Sequence, residues 1–266
     1  MDDQQFRRLL IHLGLSWSGY RKVRKGVKKR IVRHMERVGS RSMEEYLQAL
    51  KETPLLRLEC DRLMTVSISR FFRDRALWKT LGNDVLPAVV ARGTPLVKAW
   101  SAGCACGEEV YSLKIVWDML SGHVHALPRV DILATDLNPL YLEKAKAGVY
   151  SKSSLKEVPE SLRPLFFIGH GKGVPYTAIK PALKRNIRWV AKDLLSGVPD
   201  ERFHLIFMRN NLLTYYDAAL IAETFRKVLD CLERHGYLVI GAHEKIPSIT
   251  HRLRPLKKHP CIFLYS

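Results

Sequence analysis

The sequence predicts an α/β protein in which a small all-helical N-terminal domain precedes a mostly parallel, doubly wound sheet. Three observations predict it. About the first 85 residues carry apolar side chains at helical spacing. After Gly93-Thr94-Pro95, short β-rich runs alternate with amphipathic segments. Glycine, acidic or amide residues then recur where those runs end. Strands that alternate with helices form parallel sheets, and such sheets bind ligands beyond the carboxyl ends of their strands.

In the N-terminal part, Phe6, Leu9, Leu10 and Leu13 form one apolar stripe, and Val23, Val27, Ile31, Met35 and Val38 form a second at near four-residue spacing. Arg21, Arg24, Lys25, Lys28 and Lys29 fall largely off that second stripe. Ser42-Met43-Glu44-Glu45 has the form of a capping box ahead of Tyr46, Leu47 and Leu50. A further helix, about Leu55 to Met64, leads into Ser67-Ile68-Ser69-Arg70-Phe71-Phe72-Arg73. The expected division is a helical domain over 1–85, a linker over 86–95 and an α/β domain over 96–266.

In the second part, strands are predicted at Leu96–Trp100, Val130–Thr135, Ile187–Ala191, His204–Met208, Tyr237–Gly241 and near Cys261–Tyr265. Helices are predicted at Val110–Leu120, Pro139–Ala147 and Ala218–Glu233. Residues 151–186, with Gly169, Gly171 and Gly173, fit neither pattern and read as an inserted excursion of loops and short strands.

The formal net charge is +18, and residues 20–41 hold ten basic side chains against the single acid Glu36, half of that total. Such a field draws anionic partners without choosing among acidic protein, nucleic acid and anionic lipid. Nucleic acid is disfavoured, because no recognisable module and no cluster of aromatics for base stacking accompanies the charge. No apolar run approaches the ~20 residues of a membrane span, and the N-terminus is not signal-like. Five scattered cysteines fit a reducing compartment, so a cytoplasmic protein is expected.

The candidate chemistry sits at strand ends. Trp100-Ser101-Ala102-Gly103-Cys104-Ala105-Cys106-Gly107-Glu108-Glu109 joins the first strand to a helix with two glycines, but without dinucleotide-fingerprint spacing. Asp136 ends the second strand, placed either to accept two ribose hydroxyls or to cap the next helix, a role Asn138 could share. Asp193-Leu194 follows the third strand, and Arg209-Asn210 the fourth. An acid past the third strand can receive an adenine amino group, or be an ordinary loop residue. Cys104-x-Cys106 and His123-x-His125 lack a second ligand pair at metal-site spacing, and no metal is expected. Gly241-Ala242-His243-Glu244 could bring His243 near the pocket, but a structural histidine at a strand end is the preferred reading, and Phe71-Phe72 reads as core packing that positions Arg73.

Taken together, these motifs resemble the CheR-type S-adenosylmethionine-dependent methyltransferases, which esterify glutamate side chains of bacterial chemoreceptors. The resemblance runs through Phe71-Phe72-Arg73-Asp74, Trp100 to Glu109, Ala134-Thr135-Asp136, Leu142-Glu143-Lys144-Ala145 with Gly148-Val149-Tyr150, Phe203 to Asn210, and Gly236-Tyr237-Leu238 to Glu244. It implies a Rossmann-like class I methyltransferase sheet and S-adenosylmethionine as cofactor. It also implies a cofactor site drawn from Ser67, Ser69, Arg73, Ala102, Gly103, Glu108, Asp136, Leu137, Asp193, Leu194, Arg209 and Asn210. Arg73 and Tyr215 become the catalytic pair, with Tyr216 the second match to the family's tyrosine. An acidic, helical protein substrate is expected to dock on the basic helix.

The chain departs from the family in three places. Serine stands at 67 and 69 where Asn and Thr are usual, Val110 replaces a proline, and the Arg209–Tyr216 segment is one residue longer, similar to a CheR-like subgroup. An ionised glutamate, with a pKa of about 4.3, needs no general base, which leaves alignment and desolvation as the tasks of the site. Competing readings are methylation of RNA or a small molecule on the same fold, and a non-catalytic cofactor-binding adaptor.

Overall fold

The computed structural model describes all residues except 68, 123, 125, 170–172, 174, 249 and 250, so the His123-x-His125 pair lies outside the described residues. The N-terminal part comprises α1 (Asp3–Leu13), α2 (Trp17–Tyr20), α3 (Arg24–Arg37), α4 (Met43–Glu52) and α5 (Pro54–Met64). Asp2 caps α1 in a full capping box with Gln5, whereas Ser42 caps α4 through the Glu45 N–H and Glu45 reaches the Arg41 N–H instead. The predicted stripes are buried at Phe6, Leu9, Leu10, Leu13, Val27 and Ile31. Met35 is only partly buried, and His34 takes the inner position, 2 % exposed. It can lie there because both ring nitrogens have partners, the Tyr46 hydroxyl at 2.6 Å and Glu59 at 3.1 Å.

Two further short helices, α6 (Arg75–Thr80) and α7 (Leu86–Val90), flank a single π turn, Leu81–Val85. Leu77, Trp78, Leu81, Val85, Leu86 and Val89 all join the core of the sheet and not that of the helical unit. The expected boundary at 85 and linker over 86–95 are therefore displaced, because 75–90 is helical and packs on the sheet. Only 91–95 is non-helical connection before the first strand.

The sheet begins with β1 (Leu96–Ala102), then α8 (Glu108–Leu120), β2 (Arg129–Asp136) and α9 (Pro139–Ala147). Three short strands, β3 (Val149–Ser151), β4 (Phe167–Ile168) and β5 (Tyr176–Ile179), follow around α10 (Arg163–Phe166) and make a separate antiparallel sheet in the order β3-β5-β4. The predicted excursion thus holds a small sheet whose buried Tyr150, Phe166, Phe167 and Ile179 join the main core, and Phe71 closes it onto the Arg73 segment, its ring meeting those of Tyr150 and Phe167.

The chain re-enters the main sheet with β6 (Ile187–Ala191) and β7 (Phe203–Met208), then α11 (Leu212–Tyr215), α12 (Ala218–Asp230), β8 (Leu232–Ile240), β9 (Leu253–Leu256) and β10 (His259–Tyr265). The order is β6-β2-β1-β7-β8-β10-β9, parallel through β8, with β10 antiparallel to both neighbours. The expected Rossmann-like, mostly parallel sheet is present. Consecutive residues Ala99–Ala102 and Leu205–Met208 are all buried, so both faces of the central strands are covered. Strand order reverses between β1 and β7, which opens a crevice at their carboxyl ends.

Candidate functional site

The turn after β1 is stapled to the end of β2. The Thr135 carbonyl accepts the N–H groups of Gly103 (2.8 Å) and Cys104 (2.9 Å), and Asp136 Oδ2 accepts that of Ala105 (2.8 Å). Gly103 has φ 79°, and a Cβ there would overlap the Asn211 side-chain amide. Because the N–H groups of 103–105 are committed to protein acceptors, the turn permits close approach of a ligand without forming an anion cradle.

Asp136 is 8 % exposed, and its Oδ1 accepts the Asn138 N–H at 2.9 Å. Burial raises its pKa, opposed by the N–H groups of Asn138 and Ala105. Asn138, not Asp136, caps α9, through the Leu140 N–H at 3.1 Å. Each carboxylate oxygen of Asp136 keeps a second acceptor position, which suits a pair of ligand hydroxyls.

Two clefts meet above this turn. The first is lined on the sheet side by Asp136, Leu137, Asp193 and Leu194, and on the helical side by Tyr20, Asp61, Met64 and Thr65. The second is lined by Ser69, Arg70, Arg73, Glu109 and Arg209, by Arg21, Lys22 and Arg24 from the start of the basic segment, and by His243. Val66, Gly103, Ala105, Asn210 and Tyr215 line both.

The second cleft is built around one buried cation, Arg209, with Arg73 partly buried beside it. Arg209 Nη1 meets Glu109 Oε2 at 3.2 Å with side chains 5 % and 14 % exposed, and Ser101 donates to the other Glu109 oxygen at 2.8 Å. Arg209 Nη2 and the Trp78 indole N–H both donate to the Arg73 carbonyl, each at 3.1 Å. Phe72 and Asp74, on either side of Arg73, hold left-handed backbone at φ 52° and 71°. Strained residues of this kind persist only where surroundings over-determine them. Here the Phe72 N–H donates to Ser112, its ring meets Trp78, and Asp74 caps α6. Burial first, then the Arg209 and Arg70 guanidiniums, push the Arg73 pKa down, yet a guanidinium stays charged throughout the biological range. A corner so rich in positive charge is electrostatically suited to an anion.

The two tyrosines divide between the clefts. Tyr215 borders both; burial raises its pKa, the Arg73 charge lowers it and the Glu244 charge raises it. Tyr216 lines the first cleft alone; its phenol is raised by burial and then by Asp193, Asp61 and Asp136. This separation favours Tyr215 for a role beside Arg73.

Of the sequence-predicted residues, Ser69, Arg73, Gly103, Asp136, Leu137, Asp193, Leu194, Arg209, Asn210 and Tyr215 line one cleft or the other. Ser67, Ala102 and Glu108 do not. Ser67 Oγ lies 3.8 Å from Cys106 Sγ, and Ala102 is a buried β1 residue whose carbonyl receives the Asn211 amide at 3.4 Å. Glu108 is 4 % exposed beside Ser154, with burial raising its pKa. Successive helical residues point about 100° apart, so α8 turns Glu109 into the cleft and Glu108 toward Ser154 and Ser69. His243 is exposed on the cleft rim and not packed in the core. Sequence reasoning missed Glu109, Asp61 and the separate place of Tyr216; the paired glutamates and paired tyrosines were visible, but not their directions.

Comparison with known proteins identifies the family. The family described as "CheR methyltransferase, SAM binding domain" matches residues 67–262. A protein named chemotaxis protein methyltransferase from Listeria innocua is 35 % identical over 88 % of this chain and 86 % of its own length. Another, chemotaxis protein methyltransferase 1 from Pseudomonas aeruginosa, is 30 % identical over 89 % of this chain and 87 % of its own. Among solved structures, the N-methyltransferase NodS of Bradyrhizobium japonicum WM9 aligns with a TM-score of 0.38 at 14 % identity, over 73 % of this chain and 99 % of that one.

Proposed function

The chain belongs to the CheR methyltransferase family and is an S-adenosylmethionine-dependent methyltransferase; from this premise we propose that it esterifies glutamate carboxylates on an acidic, helical protein such as a chemoreceptor. Bound S-adenosylmethionine supplies a methyl group on a positively charged sulfur, open to displacement by an oxygen nucleophile. The first cleft fits that cofactor, because Asp136 retains acceptor positions for ribose hydroxyls and Asp193 with Leu194 stands where an adenine edge can be met.

One observation carries the choice of acceptor. The second cleft joins the first at Gly103, Asn210 and Tyr215, and its walls present Arg70, Arg73 and Arg209. Arg21, Lys22 and Arg24 extend the same charge to the rim, where the basic segment begins. A carboxylate entering there is already ionised, so it needs orientation and exclusion of water, not a base. Arg73 would clamp a carboxylate, and Tyr215, kept protonated by its burial, would donate a hydrogen bond to the acceptor oxygen.

The basic helix would dock the acidic partner, with the helical unit 1–66 as its platform. Five free cysteines support a reducing, cytoplasmic setting, and no helix among the described residues is long and apolar enough to cross a membrane. The test is transfer of labelled methyl from the cofactor to an acidic helical receptor fragment, followed by mild alkali. Release of the label as methanol is the expected result, since an ester is base-labile. A base-stable product would overturn the carboxylate reading.

A further inference from the structure

We infer that Glu244, on the turn after β8, is the positioning residue that sets the Tyr215 loop. The inference rests on the assignment of Tyr215 to the acceptor side. Glu244 Oε2 accepts the N–H groups of Gly241 (2.7 Å) and Asn210 (2.8 Å). Its Oε1 accepts the Thr214 hydroxyl (2.6 Å) and the Asn211 N–H (3.2 Å). Three of these four donors belong to the loop that runs from the end of β7 to Tyr215. A carboxylate has about four acceptor positions, so this one is filled by the protein itself.

The arrangement solves a local problem of the chain. β7 ends at Met208, so the next N–H groups have lost their sheet partners and must find others. Asn210 also holds φ 52°, a strained conformation for a residue with a side chain. A single carboxylate accepts from both Asn210 and Asn211, the second and third residues past the strand, and Thr214 adds a third tie one residue before Tyr215. Gly241 allows this closeness, because a Cβ there would crowd Glu244 Oε2 at 2.8 Å and Asn210 Cγ at 2.9 Å. Glu244 lines neither cleft; it acts through the loop, not on substrate.

Glutamine reproduces only part of the contact. It keeps one acceptor oxygen, and its NH2 group would face the Asn211 N–H in one orientation or the Gly241 and Asn210 N–H groups in the other. The experiment uses the full chain, wild type against Glu244→Gln and Thr214→Val, with three readouts: hydrogen–deuterium exchange of the 209–217 segment, calorimetric binding of S-adenosylhomocysteine, and initial-rate methyl transfer. Glu244→Gln is expected to raise exchange in 209–217 at least about tenfold, leave exchange in β1 unchanged, and lower kcat by about 10- to 100-fold, the size of effect that follows misplacement of a reacting group. KM for the cofactor should stay within about threefold. Thr214→Val should lower kcat less and add nothing in the Glu244→Gln background.

Exchange and kcat in Glu244→Gln both within about twofold of wild type would overturn the proposal. So would a loss of kcat that merely follows lost thermal stability while Thr214→Val remains at wild-type rate. If Glu244→Gln does not fold, Thr214→Val decides alone: faster exchange with lower kcat supports the inference, and wild-type behaviour in both defeats it. The exchange measurement needs no acceptor, so a wild-type protein that forms no base-labile product would defeat the acceptor assignment separately.

Discussion

The ring of Tyr20 lies 5.0 Å from the ring of Tyr215, tilted by 55°. A residue of the helical unit therefore forms part of the seat of the tyrosine assigned to the acceptor side. Tyr20 is fixed in turn by its hydroxyl, which donates to the Met64 carbonyl at 3.1 Å. The backbone repeats the contact, since the Ser16 N–H donates to Tyr215 O at 2.8 Å and the Asp217 N–H to Gly14 O at 2.9 Å.

This seam gives the first prediction. A Cβ on Gly19 would overlap the Thr214 carbonyl oxygen, so Gly19→Ala must separate α2 from α11. Methyl-transfer kcat should fall about tenfold, by displacement of Tyr215, with cofactor affinity changed far less. A variant with wild-type kcat would show that the seam has no part in the reaction.

Asp136 has a structural and a ligand role that one variant can separate. Asp136→Asn should weaken S-adenosylhomocysteine binding at least about tenfold, and cost about 1–3 kcal/mol of stability because an NH2 group would face the Ala105 or Asn138 N–H. Unchanged affinity by calorimetry removes Asp136 from the cofactor site.

The pH dependence follows from the same residue. A carboxyl whose folded pKa is raised by burial opposes folding once ionised. The penalty is complete above the folded pKa and is relieved as pH falls through it toward the ordinary value of 3.8. Cofactor hydroxyls donating to the carboxylate favour the charged form, so binding should release protons near the raised pKa. Binding enthalpies measured in buffers of different ionisation heat would show that release, and buffer-independent values would contradict it.

The tyrosines should separate kinetically. Tyr215→Phe is expected to lower kcat by about 10-fold or more with little change in KM for the cofactor, and Tyr216→Phe to raise that KM with a smaller effect on kcat. The reverse pattern, from initial rates at varied cofactor, would exchange their assignments.

Lys25 and Lys29 are exposed on the basic helix and line neither cleft. Reversal of both to glutamate should raise KM for an acidic protein acceptor several-fold while leaving kcat unchanged, and the effect should shrink as salt is raised. A salt-insensitive KM equal to that of wild type would place docking elsewhere.

The main sheet was legible because buried parallel strands read as apolar runs, and the residues at their ends then fell into order. Other parts were hidden for physical reasons. Leu77, Trp78, Leu81 and Val85 recur at helical spacing, which announces a buried face without naming what covers it. β9 contains Pro255 and no apolar run, so no strand was expected there. His34 lacked any sign that Tyr46 and Glu59 would satisfy it. Glu109 differs from Glu108 only by the rotation of one helical residue, and Glu244 gathers donors from a loop some thirty positions earlier.

Val66, Gly103, Ala105, Asn210 and Tyr215 are surfaces of both clefts at once. With the cofactor in the first cleft and the acceptor in the second, as proposed, the two halves of the reaction would meet at a party wall. On the proposed assignment, those five residues would face donor and acceptor at once, so a substitution at any of them is expected to alter binding on both sides.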